Sequence, residues 1–182
     1  MPGAVLARGR RIGAAVGAAA LALAVVNAVW IVRNLDLLRP MTAGDPAPEV
    51  SLPRIEASGA PGAPLTLASL RGQVVVLDFW ATWCTPCLVS LPALDALQVK
   101  YGARGLVVVG VNLDDAAAAR AMWDQKRWRM TLVADRGAAD RYAVGAIPHQ
   151  VVIDKAGVVR AVRRGAGRHD ELEALLETLL AE

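Results

Sequence analysis

Val74-Val75-Val76-Leu77-Asp78-Phe79-Trp80-Ala81-Thr82-Trp83-Cys84-Thr85-Pro86-Cys87 is the stretch that decides both fold and chemistry. Its first half is apolar, which predicts a strand buried on both faces of a sheet. Its second half holds the only two cysteines of the chain, at the start of a helical pattern. The free N–H groups and positive dipole end of a helix N-terminus stabilise a thiolate, the reactive form of cysteine. The stretch therefore predicts a buried strand followed by a reactive dithiol.

The two cysteines are expected to have different roles in thiol-disulfide exchange. Cys84, at the helix start, is expected to attack a substrate disulfide, and Cys87 to resolve the mixed disulfide that forms. Structural zinc sites use the same spacing, but they need two more Cys or His ligands. His149 and His169 lie far downstream and not at paired ligand spacing. The sequence therefore predicts no metal and no other cofactor at the dithiol.

Residues 78–87 resemble the active-site segment of thioredoxin-fold proteins, in particular the membrane-anchored TlpA/ResA-type disulfide reductases of bacteria. The resemblance extends to Pro92, where the family kinks its active-site helix, and to Ile147-Pro148, where it has a cis-proline facing the dithiol. It covers residues 45–180. The resemblance implies a thioredoxin-like fold, protein disulfides as substrates and a membrane protein as electron donor.

The resemblance also implies roles for individual residues. It makes Cys84 and Cys87 a redox-active disulfide pair, and it gives the backbone of Ile147, beside Pro148, a place to pair with an extended peptide substrate. Trp83 is expected to form part of the substrate platform. Trp80 is left open between a site residue and a core residue.

Asp78 is the candidate acid-base residue. It lies inside an apolar strand, where desolvation raises the pKa of a carboxyl group and lets it exchange a proton near neutral pH. Thioredoxin has a buried aspartate at the matching place, which exchanges a proton with the resolving cysteine. A carboxyl group simply hydrogen-bonded to backbone stays open as the alternative. ResA-type reductases commonly have a glutamate where this chain has Ser90, so the proton-transfer role is assigned to Asp78 alone.

His149 follows the predicted cis-proline, where the family more often has threonine. Three interpretations stay open: it tunes the Cys84 thiolate, it serves as a third metal ligand beside the cysteines, or it is a hydrogen-bonded strand histidine. The second would suit Cu(I), which prefers thiolate and imidazole ligands.

The N-terminal segment predicts the compartment. Ile12 to Val32 form 21 uncharged residues, enough to cross a hydrocarbon core of about 30 Å. Arg8, Arg10 and Arg11 precede this run, so the positive-inside rule keeps the N-terminus in the cytoplasm. A cleaved signal peptide, with Ala22-Leu23-Ala24 as its small-residue site, is the alternative, although the run exceeds a typical signal core. The sequence favours an uncleaved single-pass anchor in a bacterial inner membrane, with the catalytic domain in the periplasm or outside.

The net charge of +3 follows from the anchor region and carries no sign of nucleic-acid binding. Residues 1–39 contain five arginines and one aspartate, whereas residues 40–182 contain 15 basic and 16 acidic groups. The later residues show no basic run with interleaved aromatics, which a phosphate-tracking surface would need. No nucleic-acid partner is predicted.

The fold class predicted is α/β: a thioredoxin-like mixed central sheet with helices on both faces, an N-terminal hairpin and a central helix-strand insertion, preceded by one transmembrane helix. The expected domains are 1–11, a cytoplasmic N-terminus; 12–32, the anchor; 33–47, a linker; and 48–182, the thioredoxin-like domain. The expected elements are a hairpin of Val50–Ile55 and Leu65–Leu67 around a loop Ala57–Pro64, strands Val74–Trp80, Leu106–Leu113 and Thr131–Ala134, helices Thr85–Tyr101 and Gly137–Tyr142, a hairpin of Gln150–Asp154 and Val158–Val162, and helix Asp170–Leu180. Between the second and third of these strands, an alanine-rich helix is expected to begin at an N-cap supplied by Asp114-Asp115 and to end at about Trp128.

The function predicted is a thiol-disulfide oxidoreductase that reduces specific protein disulfides, of the cytochrome c maturation or copper-site assembly type. Alternatives are a copper-binding metallochaperone using Cys84, Cys87 and His149, and a disulfide-forming oxidase. A tethered binding module with an inert dithiol would not need Pro86 and Pro92. A thiol peroxidase would need a Thr-x-x-Cys motif before a helix, which the chain lacks.

Overall fold

The computed structural model describes residues 3–33 and 40–182, with side chains in the first range described from Val16 onward. The chain forms two units, whose boundary lies between Pro40 and Met41. The side chains of Arg8, Arg10 and Arg11, on which the expected orientation depends, lie outside the described residues. The same holds for residues 1–2 of the expected cytoplasmic N-terminus and for residues 34–39 of the expected linker.

The first unit contains one helix, α1, Gly3–Arg33, which begins well before the apolar run. Its segment Val16–Arg33 is long and apolar enough to cross a membrane, a property that signal sequences share. Every side chain from Val16 to Arg33 is exposed. Asn27, the one strongly polar side chain of the run, donates its amide to the Leu23 carbonyl at 2.9 Å, one helical turn back. The helix thus satisfies one of its own polar donors, as a helix in lipid must.

The second unit, residues 41–182, alternates strands and helices. Its elements are β1 Ser51–Ile55, β2 Pro61–Thr66, β3 Val74–Trp80, α2 Thr85–Tyr101, β4 Leu106–Asn112, α3 Ala116–Lys126, β5 Thr131–Ala134, α4 Ala138–Arg141, β6 His149–Ile153, β7 Val159–Arg164 and α5 His169–Ala181, with a 3₁₀ turn at Leu67–Leu70. The predicted bounds of β3, α2 and β5 agree with the structure.

The strands form one mixed sheet in the order β2-β1-β5-β4-β3-β6-β7. β3 pairs parallel with β4 and antiparallel with β6, so it lies at the centre and is fully buried. The inserted β5 pairs parallel with β4 and antiparallel with β1, where Arg54 lies opposite Val133. The predicted mixed sheet, N-terminal hairpin and helix-strand insertion are confirmed, and the insertion joins the hairpin to the central strands.

Side chains of β3 alternate between two cores, one on each face of the sheet. The dithiol face is defined by Val74, Val76 and Trp80, which pack in one core with both cysteines and with leucines of α2 and α5. The opposite face is defined by Val75, Leu77 and Phe79, which pack with Leu67, Leu70 and Tyr142. Helices therefore cover both faces, as predicted: α2, α3 and α5 the dithiol face, and α4 with the 3₁₀ turn the opposite face.

The second strand of the N-terminal hairpin begins earlier than the sequence predicts. β2 begins at Pro61, within the stretch Ala57–Pro64 that the sequence assigned to a loop. A short turn closes it, in which the Glu56 N–H donates to the Ala60 carbonyl at 2.9 Å. Prolines are tolerated here because β2 is an edge strand of the sheet, where an N–H that points away from β1 has no ladder partner to lose.

Residues 41–47 make backbone hydrogen bonds to the start of β7 and to the turn before it. The Gly44 N–H donates to the Val159 carbonyl at 2.8 Å, and the Val159 N–H donates to the Asp45 carbonyl at 2.9 Å. The Ala47 N–H donates to the Gly157 carbonyl at 3.0 Å. These residues run beside the start of β7 and lie within the second unit.

Candidate active site

The dithiol is built into the first turn of α2. Cys84 is the N-cap residue, and its sulfur accepts a hydrogen bond from the Cys87 N–H at 3.3 Å. Pro86 follows in the first helical turn, where its missing N–H is not needed. Cys84 and Cys87 are joined by a disulfide, with their Cα atoms 5.2 Å apart. Once this disulfide is reduced, the Cys84 sulfur lies where helix N–H groups stabilise an anion.

The two cysteines are buried, whereas the residue directly before the first of them is exposed. Cys84 is 3% exposed and Cys87 is fully buried. The neighbouring Trp83 is 71% exposed. An exposed indole next to a reactive group offers a contact surface for a partner.

Asp78 lies on the dithiol face of β3, because it is two residues from both Val76 and Trp80, and alternate residues of a strand share one face. It is fully buried, and burial raises the pKa of its carboxyl group to about 7. Gln150, opposite it on β6, lowers the pKa by less. That amide falls short of a hydrogen bond, since neither Asp78 oxygen has a partner within the described residues. The alternative of a carboxyl group bonded to backbone is therefore not found.

Ser90 occupies the position where the resembling family commonly has glutamate. It is buried, and its hydroxyl donates to the Cys87 carbonyl at 2.9 Å, one turn back in α2. A serine held in this way has no ionisable group to exchange with a thiol. Asp78 is thus the carboxyl group that the structure places among the buried residues of this face.

The Ile147–Pro148 peptide bond is cis. Pro148 directly precedes β6, whose first residue, His149, lies opposite Phe79 at the end of β3. Since the dithiol follows the same end of β3, Pro148 and Cys84 are at one edge of the sheet. Ile147 packs against the core that contains both cysteines.

His149 is separated from the dithiol by the sheet. It lies opposite Phe79 in the register, and the two rings meet edge to face with centroids 5.9 Å apart, on the opposite face. Neither ring nitrogen has a hydrogen-bond partner within the described residues, so the hydrogen-bonded strand histidine is not found. Burial, and secondarily the charge of Arg164, lowers its pKa.

The copper-site alternative fails on this geometry. Among the described residues, no group of three or more His, Cys, Asp or Glu side chains could hold a metal ion. Alternation along β6 directs His149 away from the face that carries Cys84 and Cys87. His149 is therefore not the third ligand that a copper carrier of this type would need.

The contacts of Asp114 are not evident from the sequence. The pattern predicts Asp114 and Asp115 together as the cap of the next helix, but Asp115 alone caps α3, accepting the Ala118 N–H at 2.7 Å. Asp114 accepts hydrogen bonds from Thr82 and Asn112 instead. Two adjacent acids before a helix give the same pattern whichever of them caps it, so only the contacts separate their roles.

Trp80 is a core residue, which decides the alternative left open by the sequence. It is fully buried and packs against Trp123, with centroids 5.4 Å apart, and against Trp128. Gly110 lies beneath this cluster, where an added Cβ would be 2.5 Å from Trp123. The glycine is needed because the indole approaches the strand backbone so closely.

Comparison with known proteins gives a consistent result. The family model described as Redoxin matches residues 42–179. The thioredoxin-like protein YneN of Bacillus subtilis is 32% identical over 139 residues, which cover 74% of this chain and 78% of that protein. The thiol-disulfide oxidoreductase ResA of Oceanobacillus iheyensis is 31% identical over 163 residues, which cover 87% and 83% respectively. A Chlorobium tepidum crystal structure, described as a thiol:disulfide interchange protein DsbE, has a TM-score of 0.70 at 32% identity, covering 77% of this chain and 99% of its own.

Proposed function

The chain belongs to the Redoxin family and is a thioredoxin-type thiol-disulfide oxidoreductase, and from that premise we propose that it reduces disulfides of specific exported proteins. The observation that carries the proposal is the Cys84–Cys87 disulfide at the first turn of α2, with a buried Asp78 on the same face of the sheet. A dithiol at a helix N-terminus can form a thiolate readily, and a carboxyl group that titrates near neutrality can exchange its proton.

The proposed cycle starts from the reduced dithiol. The Cys84 thiolate attacks one sulfur of a substrate disulfide, forms a mixed disulfide and releases the other substrate sulfur as a thiolate. Asp78, in its ionised form, takes the proton from Cys87. The resulting Cys87 thiolate attacks the Cys84 sulfur, which releases the second substrate sulfur and closes the Cys84–Cys87 disulfide. Two electrons have passed to the substrate, and a membrane electron-donor protein restores the dithiol.

Trp83, Ile147 and Pro148 are proposed to bind the substrate. Trp83 provides exposed apolar surface beside Cys84, and Ile147-Pro148 lies at the same edge of the sheet. An extended peptide could pair with the Ile147 backbone while its cysteine meets Cys84. Replacing Trp83 by alanine should raise KM for a protein disulfide while leaving the unfolding midpoint unchanged, because this side chain is mostly exposed.

α1 is proposed to anchor the enzyme in the inner membrane of a bacterium, with the dithiol in the periplasm or outside the cell. Its length and apolar composition support this, as does the cluster of arginines that precedes its apolar run. Alkaline phosphatase fused after residue 182 should be active in cells, since that enzyme folds only outside the cytoplasm. An active cytoplasmic reporter at the same position would contradict the proposed orientation.

Apocytochrome c or a copper-site protein of an oxidase is proposed as the substrate class. The resemblance to ResA-type reductases supports this class, and Ser90 in place of glutamate departs from it. Purified substrates of both kinds, oxidised at their metal-binding cysteines, would be compared by the rate at which the reduced enzyme releases their thiols.

The direction of electron flow is tested by the redox midpoint of the full chain in detergent, read by thiol alkylation across dithiothreitol and glutathione buffers. A midpoint below about −220 mV supports a reductant, whereas one above about −150 mV would make the protein a disulfide-forming oxidase. Cys84→Ser should abolish the two-electron transition. Cys87→Ser should trap substrate as a mixed disulfide on Cys84, and trapping on Cys87 in the Cys84→Ser variant instead would reverse the assigned roles.

A further inference from the structure

Asp114 connects the end of β4 to the loop that carries the dithiol. Its two carboxylate oxygens accept the Thr82 backbone N–H at 3.1 and 3.2 Å, and one of them also accepts the Thr82 hydroxyl. The Asn112 amide donates to the other oxygen at 2.5 Å. All three donors are partly or fully buried. A carboxylate with several charge-assisted hydrogen bonds in such surroundings holds its partners firmly.

Thr82 belongs to the turn that leads from β3 into the dithiol. The Cys84 N–H donates to the Ala81 carbonyl at 3.1 Å, which closes the turn around Thr82 and Trp83. Both Ala81 and Cys84 are buried in the core of the dithiol face. The backbone N–H and the hydroxyl of Thr82 both donate to Asp114, so this carboxylate fixes the turn between the strand end and the helix N-cap.

We propose that Asp114 is a positioning residue for the redox reaction: through Thr82 it holds the turn 81–84 so that Cys84 stays at the N-cap of α2. This rests on the proposed role of Cys84 as the attacking thiol. No hydrogen bond joins Asp114 to either sulfur within the described residues, so it acts through the turn and is not itself a catalytic residue.

The physical consequence concerns the thiolate. At the N-cap, the Cys84 sulfur accepts the Cys87 N–H and lies at the positive end of the helix dipole. Without Asp114 the turn loses the acceptor for the Thr82 N–H, and Cys84 is no longer held at that point. A thiolate that leaves the helix N-terminus loses stabilisation and reacts less at neutral pH.

The test is the pH dependence of iodoacetamide alkylation at Cys84 in the reduced full chain in detergent, read by peptide mass. Asp114→Ala is expected to raise the pH of half-maximal reactivity by about one unit, so that the alkylation rate falls about tenfold at pH values well below that midpoint. Asp115→Ala is the matched control. It removes a carboxylate from the adjacent residue, which caps α3 and makes no bond to Thr82, and it should leave the profile unchanged.

Asp114→Asn separates position from charge. Asparagine keeps an acceptor for the Thr82 N–H but removes the negative charge, and loss of a nearby anion would by itself favour the thiolate. The positioning role therefore predicts a pH of half-maximal reactivity that is equal to or slightly below the wild-type value in Asp114→Asn. In Asp114→Ala it predicts a value above that of wild type. Equal profiles for the two alanine variants, or an upward shift in Asn as large as in Ala, would overturn it.

Two controls separate the positioning role from a loss of stability and from a failure of the proposed function. Thermal midpoints of both alanine variants are measured first, and alkylation is run well below them, because simple destabilisation does not move the pH profile of the folded state. If Cys84 in the wild-type protein is not the thiol that alkylates first, the proposed function fails. If Cys84 alkylates first in the wild-type protein, and Asp114→Ala has the same pH profile as wild type, only the positioning role fails.

Discussion

The two faces of the central sheet each bury an ionisable side chain without a hydrogen-bond partner within the described residues, and the two respond to burial in opposite ways. Asp78 lies on the dithiol face, opposite Gln150. His149, which precedes Gln150 in β6, lies on the opposite face against Phe79. Burial disfavours the charged form of both. It therefore raises the pKa of the carboxyl group to about 7 and lowers that of the imidazole.

The comparison shows that burial alone does not make a reactive group. Asp78 is shifted into the range where it gains and loses protons near neutral pH, on the face that carries the cysteines. His149 is shifted towards its neutral form, and it lies on the face opposite the cysteines. One substitution on each face tests whether this difference accounts for activity and stability.

The largest expected effect is on the rate of disulfide reduction. Asp78→Asn keeps the shape of the side chain but cannot exchange a proton, so the rate at pH 7 should fall about 10²-fold. In this variant the change of the reduction rate with pH near 7 should also disappear. The measurement is the rate at which thiols are released from an oxidised protein substrate between pH 5 and 9. His149→Leu is the control for the opposite face, and a comparable loss in that variant would remove the distinction between the two faces.

The next effect is on stability. The unfolded chain loses the Asp78 proton near pH 3.8, while the folded protein keeps it up to about pH 7. The free energy of unfolding therefore falls as pH rises through this window, by about 4 kcal/mol in full. Asp78→Asn should remove that loss, so it should be more stable than wild type at pH 8 and nearly equal at pH 4. Urea midpoints at the two values decide this, and an equal difference at both would show that Asp78 does not titrate as described.

Gly110 tests the packing of the dithiol face beside Asp78, which it neighbours on β4. Alanine there places a Cβ 2.5 Å from Trp123 and 3.2 Å from the Trp80 indole nitrogen. The resulting shift of the indoles should cost about 1–3 kcal/mol of the free energy of unfolding and change the tryptophan fluorescence. Gly145→Ala, where no atom lies within 4 Å, should be neutral. Equal midpoints for the two variants would mean that the tryptophan cluster yields freely.

The smallest effect is expected on the opposite face. Below pH 6.5 the unfolded chain protonates His149, whereas the folded protein resists protonation, so stability falls as pH drops. His149→Leu should remove this contribution and gain stability relative to wild type at pH 5 but not at pH 8. Activity should be unchanged. A larger gain at pH 8 than at pH 5 would reverse the assigned sign.

The sequence predicted the strand-dithiol-helix unit because each of its signals is local. The apolar run of β3, the cysteine spacing and the helical pattern that follows the cysteines are recognisable without any knowledge of distant residues. The extended start of β2 was missed because two prolines look like a loop until the strand is known to lie at an edge. The role of His149 stayed open at the level of sequence because the face of a residue in β6 depends on the register with β3. Gln150 and Asp114 were missed for the same reason, since their partners are 72 and 32 residues away.

The position of β5 between β1 and β4 determines when the domain can fold during synthesis from its N-terminus. The hairpin of β1 and β2 gains its link to the sheet only when residues 131–134 have emerged, and β3 gains its second neighbour only with residues 149–153. An isolated two-stranded hairpin is marginally stable at best. Most of the domain therefore leaves the ribosome before it can fold, and during that interval its apolar strands are accessible to chaperones and proteases.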